Sequence, residues 1–324
     1  MAQILEVTFP FFGLVLLGWI ATRTGALPLT AIAGLNVFVL SFALPCMLFR
    51  FALNTPITQM LDPAVVCLWL TTAAMMVTLV FIATQRVLGW SDSAFSALTV
   101  AFPNSGFIGV PLLVALLGPQ VAPPVIVALT VDMVVTSSVC IALSRIGMGG
   151  SFGPSHSVKV ALKGVVRNPL PWAIILGSTF SALHLSPPTI VMRAVDMFSD
   201  AASPAALFVL GAMLARPRAS NTGASPPIFD TWLLVSLKLV AHPMLVLLIG
   251  WGLIELGAPL PSFSLTVLAL VAALPSASNV PILAERFGAD SSRLARVVMI
   301  TTSLSFITFS TAVAILAGSA KVAG

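Results

Sequence analysis

Two stretches place helix-breaking and hydrogen-bonding residues inside otherwise apolar sequence: AFPNSGFIGVPLL at 101–113 and ALPSASNVPIL at 273–283. Each holds two prolines, Pro103 and Pro111 in the first, Pro275 and Pro281 in the second. Asn104, Ser105, Gly106 and Gly109 lie between the first pair, and Ser276, Ser278 and Asn279 between the second. Proline removes a backbone donor and clashes with the preceding turn, so each stretch predicts a helix that unwinds and restarts. Pro111 and Pro281 then fall in the first turn of the restarted halves, where proline is tolerated. A restarted half opens with free N–H groups and about half a positive charge. That suits an anion, most simply a carboxylate. The asparagine and serine side chains add donors and acceptors beside it. Proline and glycine are common in membrane helices, but a matched pair of breaks with polar residues inside each asks for more than a kink.

Three ionisable residues also lie inside apolar runs. Lys238 and His242, four apart in SLKLVAHPMLV, share a helix face. Lys238 is read as a cationic partner for a bound anion or for Asp132, the alternative being a side chain that snorkels to the interface. His242 is a packing histidine or a proton relay. Asp132, in ALTVDMVVTS, is the candidate for coupling to a proton or cation, its rival role being a structural partner of Lys238 or Thr302. Thr302 stands as far beyond Gly288 as Asp132 stands beyond Gly118. Asn36, Asp196 and Asp200 either line a pathway or sit at an interface. No His/Cys/carboxylate metal set, phosphate-binding loop or nucleophile with a base is present in sequence. The expectation is a protein that is not an enzyme and carries no cofactor, with protons or sodium as candidate coupling ions.

The elements that must position these residues are membrane helices. The 324 residues are 58% hydrophobic and 8% charged, with a mean hydropathy of +1.09. A soluble domain carries roughly 25% charged residues. The net charge of +5 is spread over loops and does not indicate nucleic-acid binding. Cys46, Cys67 and Cys140 are far apart in apolar runs and read as buried small hydrophobes. The first residues lack a basic n-region and a cleavage site, so they read as a spanning helix and not a signal peptide.

A span needs about 20 apolar residues. Ten stretches qualify: 4–22, 29–53, 63–84, 92–118, 122–146, 169–185, 188–214, 231–255, 262–286 and 293–317. With the N-terminus outside, the inner side receives Arg23, Arg86, Arg145, Lys159, Lys163, Arg167, Arg216, Arg218, Arg286, Arg293 and Arg296, leaving Arg50, Arg193, Lys238 and Lys321. The excess of inner positive charge places both termini on the extracytoplasmic side.

The two halves match. FALPCMLF (42–49) in span 2 aligns with AASPAALF (201–208) in span 7. GVPLLVALLG (109–118) in span 4 aligns with NVPILAERFG (279–288) in span 9. The predicted fold class is all-α, with two five-helix repeats, 1–147 and 169–324, joined by a cytoplasmic linker, 148–168. An odd number of helices per repeat inverts the second copy, a layout typical of secondary transporters.

FPNSGFIGVPLL, ALPSASNVPILAERFG, GLNVFVLSFALP, the RNP at 167–169 and SLKLVAHP resemble the landmarks of the auxin efflux carrier family. The short central loop resembles the compact bacterial type, whose members include proteins named as malonate or other carboxylate transporters. The resemblance implies the ten-helix fold of bile-acid/sodium symporters and sodium/proton antiporters. It implies a scaffold of 1–55 plus 169–215, with a dimer contact through spans 2 and 7. It also implies a moving transport domain of 62–147 plus 230–318 in an elevator-like step. Asn104 matches the family asparagine of span 4. Ser276 and Ala277 depart from the Gln-Gly of the plant members, so substrate identity does not carry over.

The expected function is secondary transport of small organic anions, malonate-like or auxin-like, in a cell inner membrane. The alternatives are a sodium- or proton-coupled carrier of the same fold with a different substrate, such as a bile-acid-like anion or a cation, and a membrane enzyme or receptor. The lack of acids within the two breaks counts against a cation carrier.

Overall fold

A computed structural model describes residues 2–60, 62–146, 166, 168–215 and 228–320. Nearly all of the predicted linker 148–168, with Lys159, Lys163 and Arg167, lies outside the described residues. So do Arg216, Arg218 and Lys321.

The described chain is helical, with no strand among the described residues and one isolated antiparallel bridge, Pro103 opposite Ser276. In chain order, besides the single turn Ile57–Met60, the helices are α1 (Ala2–Arg23), α2 (Leu29–Leu53), α3 (Pro63–Ala101, broken at Gly89), α4 (Ser105–Leu117), α5 (Pro119–Ile146), α6 (Pro169–Ala182), α7 (Thr189–Ala215), α8 (Asp230–Glu255), α9 (Ser262–Ala272), α10 (Val280–Arg286) and α11 (Ser291–Ala320). Among the described residues six are long and apolar enough to cross a membrane: α2, α3, α5, α7, α8 and the Ser291–Leu316 part of α11. Further apolar helices, Thr8–Arg23, α4 and α9, are shorter. This is a multi-pass membrane protein.

The predicted spans 63–84 and 92–118 are distinct helices: within α3, Gly89, at φ 76° and ψ 176°, breaks the helix between them in a conformation open to a residue without a Cβ. The stretch beyond Gly89 is the first half of span 4, and α4 is its second half.

The chain divides into two compact units. The first comprises 1–62, 106–127 and 166–217. Within it α1 and α7 pack backbone to backbone. A Cβ on Gly18 would collide with the Phe208 carbonyl, and one on Gly211 with the Val15 carbonyl. Small residues let membrane helices approach closely. Gly177 plays the same part where α6 meets α2, its added Cβ falling 2.6 Å from the Phe49 carbonyl oxygen. Asp196 and Asp200, left open by the sequence, both pair with Arg50: Nη1 lies 3.4 Å from Asp196 and 2.8 Å from Asp200.

The second unit comprises 63–105, 128–165 and 218–324 and holds most of the candidate chemistry. Every residue of 93–105 and of 267–278 is buried. A helix apolar all round belongs inside a protein, and these two runs lead into the two breaks. Of the cysteines, Cys140 is buried, Cys46 half-buried and Cys67 exposed, so the buried reading does not hold for Cys67.

Candidate functional site

The two breaks meet within the second unit. The first is short: only 102–104 leave the helix, while Ser105–Gly109 continue as a π-helical turn and Val110–Leu117 as an α-helix. Gly106 and Gly109 therefore lie in helical backbone, where an unwound segment was expected. The wider π-helical ring joins the break to Pro111, which occupies the first turn of the α-helical part. The second break is longer, 273–279, and Pro281 sits in the first turn of α10.

Buried backbone groups must find partners, and these breaks supply each other's. The Asn104 N–H donates to the Pro275 carbonyl at 2.8 Å, and the Ala277 N–H donates to the Phe102 carbonyl at 3.0 Å. Pro103 and Pro275 have no N–H to leave stranded. Ser276 finds a third element: its N–H donates to Thr301 Oγ1 on α11 at 3.3 Å, and that hydroxyl donates to the Val297 carbonyl at 2.8 Å. These backbone groups are paired, but the side chains beside them are not. Asn104 Nδ2 and the hydroxyl oxygens of Ser105, Ser276 and Ser278 are buried with no hydrogen-bond partner among the described residues. One amide donor and three hydroxyls, each able to donate, are thus unpaired among the described residues. Asn279 is half-buried, and its carbonyl accepts from the Leu283 N–H at 3.0 Å.

A second polar cluster lies in the same unit. Asp132 is fully buried at the start of a π-helical turn, 132–136. Its Oδ1 accepts from Trp69 Nε1 at 3.1 Å and from Thr136 Oγ1 at 3.0 Å, while Oδ2 has no hydrogen-bond partner among the described residues. Lys238, also fully buried and in a π-helical turn, 237–241, places Nζ 3.0 Å from His242 Nδ1 and donates to the Ala272 carbonyl at 3.1 Å. It does not snorkel. The His242 ring packs 5.7 Å from Trp69 and hydrogen-bonds the Val100 backbone. Ala272 precedes the second break and Val100 the first, so the cluster touches the last turn before each. π-Helical turns recur at functional sites, and both ionisable residues occupy one.

Thr302 is not drawn into this cluster by its hydroxyl, which donates to the Val298 carbonyl at 2.7 Å on its own helix. Its neighbour Thr301 is the one that reaches the break. Asn36 belongs to the first unit, where its Oδ1 is buried without a partner among the described residues. Sequence reading missed Trp69, Thr136, Thr301 and the burial of Arg293. A tryptophan and threonines in apolar helices are too common to stand out, and only their contacts mark them.

Known proteins resemble the chain along nearly its whole length. The profile of the family described as "Membrane transport protein" matches residues 3–313. A Rhizobium meliloti (strain 1021) protein named "Putative malonate transporter" is 26% identical over 310 residues, covering 95% of this chain and 94% of the relative. The Escherichia coli (strain K12) "Uncharacterized transporter YfdV" is 25% identical over 290 residues, 86% of each chain. An "Uncharacterized transporter" of Methanothermobacter thermautotrophicus is 26% identical over 305 residues, 93% of this chain and 95% of the relative.

Proposed function

The chain belongs to the membrane transport protein family, the auxin efflux carriers whose landmarks its sequence carries, and on that premise we propose that it is a secondary carrier of small organic anions. A malonate-like short carboxylate is the first candidate substrate, suggested by the relative named for malonate. The observation that carries the proposal is the set of buried, unpartnered groups at the paired breaks: Asn104 Nδ2 and the hydroxyls of Ser105, Ser276 and Ser278. Unpaired polar groups buried in a membrane protein cost free energy, and a carboxylate entering between them would offset that cost. Asn279 completes the proposed site on the second break, and the opening of α4 at Ser105, ahead of Pro111, adds its N–H groups. The seven-residue α10 has too small a dipole for an equal share.

The proposed architecture is ten spans in two inverted repeats, the broken helices crossing at the bilayer midplane. The proposed mechanism is an elevator: a scaffold of 1–55 plus 169–215 carries a transport domain of 62–147 plus 230–318. The protein would work in a cell inner membrane with both termini outside, as a homodimer through α2 and α7. Lys238, held by His242 and Ala272, would contribute longer-range positive charge and not a direct contact. Asp132, with an unpartnered carboxylate oxygen, would couple transport to a proton or sodium ion. His242, Thr302 and Asn36 would gate.

The test is flux of labelled malonate into proteoliposomes. Flux abolished by Asn104→Ala and by Asn279→Ala, with folding intact, supports the site. Undiminished flux in both variants rejects it.

A further inference from the structure

Arg293 reads in sequence as one more basic residue at the inner end of a helix. It is buried, with 1% of its surface exposed, and the residues it bonds belong to the second unit. Nη1 donates to Asp230 Oδ2 at 2.7 Å on α8. Nη2 donates to Ser96 Oγ at 2.6 Å and to the Asp92 carbonyl at 3.1 Å, both in the part of α3 beyond Gly89. Its own N–H is capped by Asp290 Oδ1 at 3.0 Å, and the Asp290 N–H donates to Asp92 Oδ1 at 2.8 Å. One planar guanidinium thus ties three helices. Lysine cannot reproduce that fork, because its ammonium is a single point on a flexible stem.

The tie lies close to the breaks. Ser96 precedes Pro103 by seven residues, about two turns at 3.6 residues per turn. Arg293 precedes Thr301 by eight on α11, again about two turns. The two helices that Arg293 locks together are therefore the ones that lead to the Phe102–Asn104 segment and to the Thr301 hydroxyl. A second clamp holds the same stretch of α3: Phe95 packs 5.9 Å from Phe287, over which the Arg145 guanidinium stacks at 5.0 Å. Register at the bridge depends on how α3 and α11 slide past each other, and helices with only apolar contacts have little to fix that.

We infer that Arg293 is a positioning residue for the anion site: through Ser96, Asp92 and Asp230 it sets the register that brings Asn104 and Ala277 onto the partner break. The consequence for substrate rests on the carrier reading; the consequence for the bridge does not.

The experiment is hydrogen exchange on the full chain in lipid nanodiscs, with malonate half-saturation measured on the same proteins in liposomes. Arg293→Ala is expected to speed exchange of the Asn104 and Ala277 amides by about tenfold or more, as losing hydrogen bonds to a buried charge does. Amides of 65–80 should keep their protection. Half-saturation should rise while the maximal rate changes less. Arg293→Lys should restore neither. Unchanged protection at the two bridge amides, uniform acceleration through the whole unit, or full rescue by lysine would each overturn the inference. If Arg293→Ala does not fold, Ser96→Ala and Asp230→Ala remove single arms of the fork and must show the same local pattern. If the wild type carries no malonate, the carrier reading fails alone, and the exchange data still decide the role of Arg293.

Discussion

Replacing Asp132 by leucine and by asparagine separates its structural role from its proposed chemical one. Leucine removes both acceptors at once. The Trp69 indole N–H, at 3.1 Å, and the Thr136 hydroxyl, at 3.0 Å, lose their partner on Oδ1. Side-chain hydrogen bonds inside membrane proteins are worth about 0.6 kcal/mol on average and up to about 1.7. Two of them give about 1–3 kcal/mol of lost stability. Asparagine keeps a carbonyl oxygen at the Oδ1 position for both donors and puts a neutral amide nitrogen, which neither carries charge nor exchanges its state with pH, where the unpartnered Oδ2 stood. Asp132→Asn is therefore expected to unfold in a denaturant titration within about 0.5 kcal/mol of wild type, since its bonds persist. Its transport should lose any dependence on pH or on sodium. Asp132→Leu stability equal to wild type refutes the hydrogen-bond geometry. Asp132→Asn transport with an unaltered response to pH and sodium refutes coupling through this carboxylate and leaves it a structural acceptor.

Thr301→Val keeps shape but orphans the buried Ser276 N–H, which now bonds Thr301 Oγ1 at 3.3 Å. A loss of about 1 kcal/mol, small because that bond is long, is expected together with weaker malonate binding in a thermal-shift titration. Unchanged binding would detach Thr301 from the site. Gly211→Ala places a methyl group against the Val15 carbonyl. It should cost about 1–3 kcal/mol or more through forced separation of α1 and α7, read as a lower denaturation midpoint. Gly13→Ala, with nothing within 4 Å of the added Cβ, should have no such effect.

The helices and the paired breaks were legible in sequence because they follow from hydropathy and proline chemistry, which act locally. Asn104, Ser276 and Ser278 were legible for the same reason: polar residues between prolines in an apolar run are costly to bury unless something polar meets them. The extent of each break was not. Gly106 and Gly109 look like unwinding residues, yet a π-helical turn absorbs both. That choice depends on which backbone partners the other break supplies, a matter of contacts between segments far apart in sequence. Arg50 with Asp196 and Asp200 illustrates the same limit, since neither aspartate names its partner 146 or 150 residues away.

The unequal lengths of the breaks bear on how an anion would be held. Phe102 and Asn104 use their backbone groups on Pro275 and Ala277, so the first break contributes almost entirely through side chains and the opening turn of α4. The second break is longer and sends its Ser276 N–H to Thr301, so that part of its backbone is engaged with α11 as well. What remains on both sides is hydroxyl and amide, while the cation of the neighbouring cluster, Lys238, is already committed to His242 and Ala272. A site of neutral donors binds a carboxylate more weakly than a bidentate arginine would. Weak binding suits a carrier, which must release its substrate on the far side as readily as it captures it. Ser278→Arg should therefore tighten malonate binding in the thermal-shift titration while slowing net flux. Faster flux with tighter binding would mean that release does not limit the cycle.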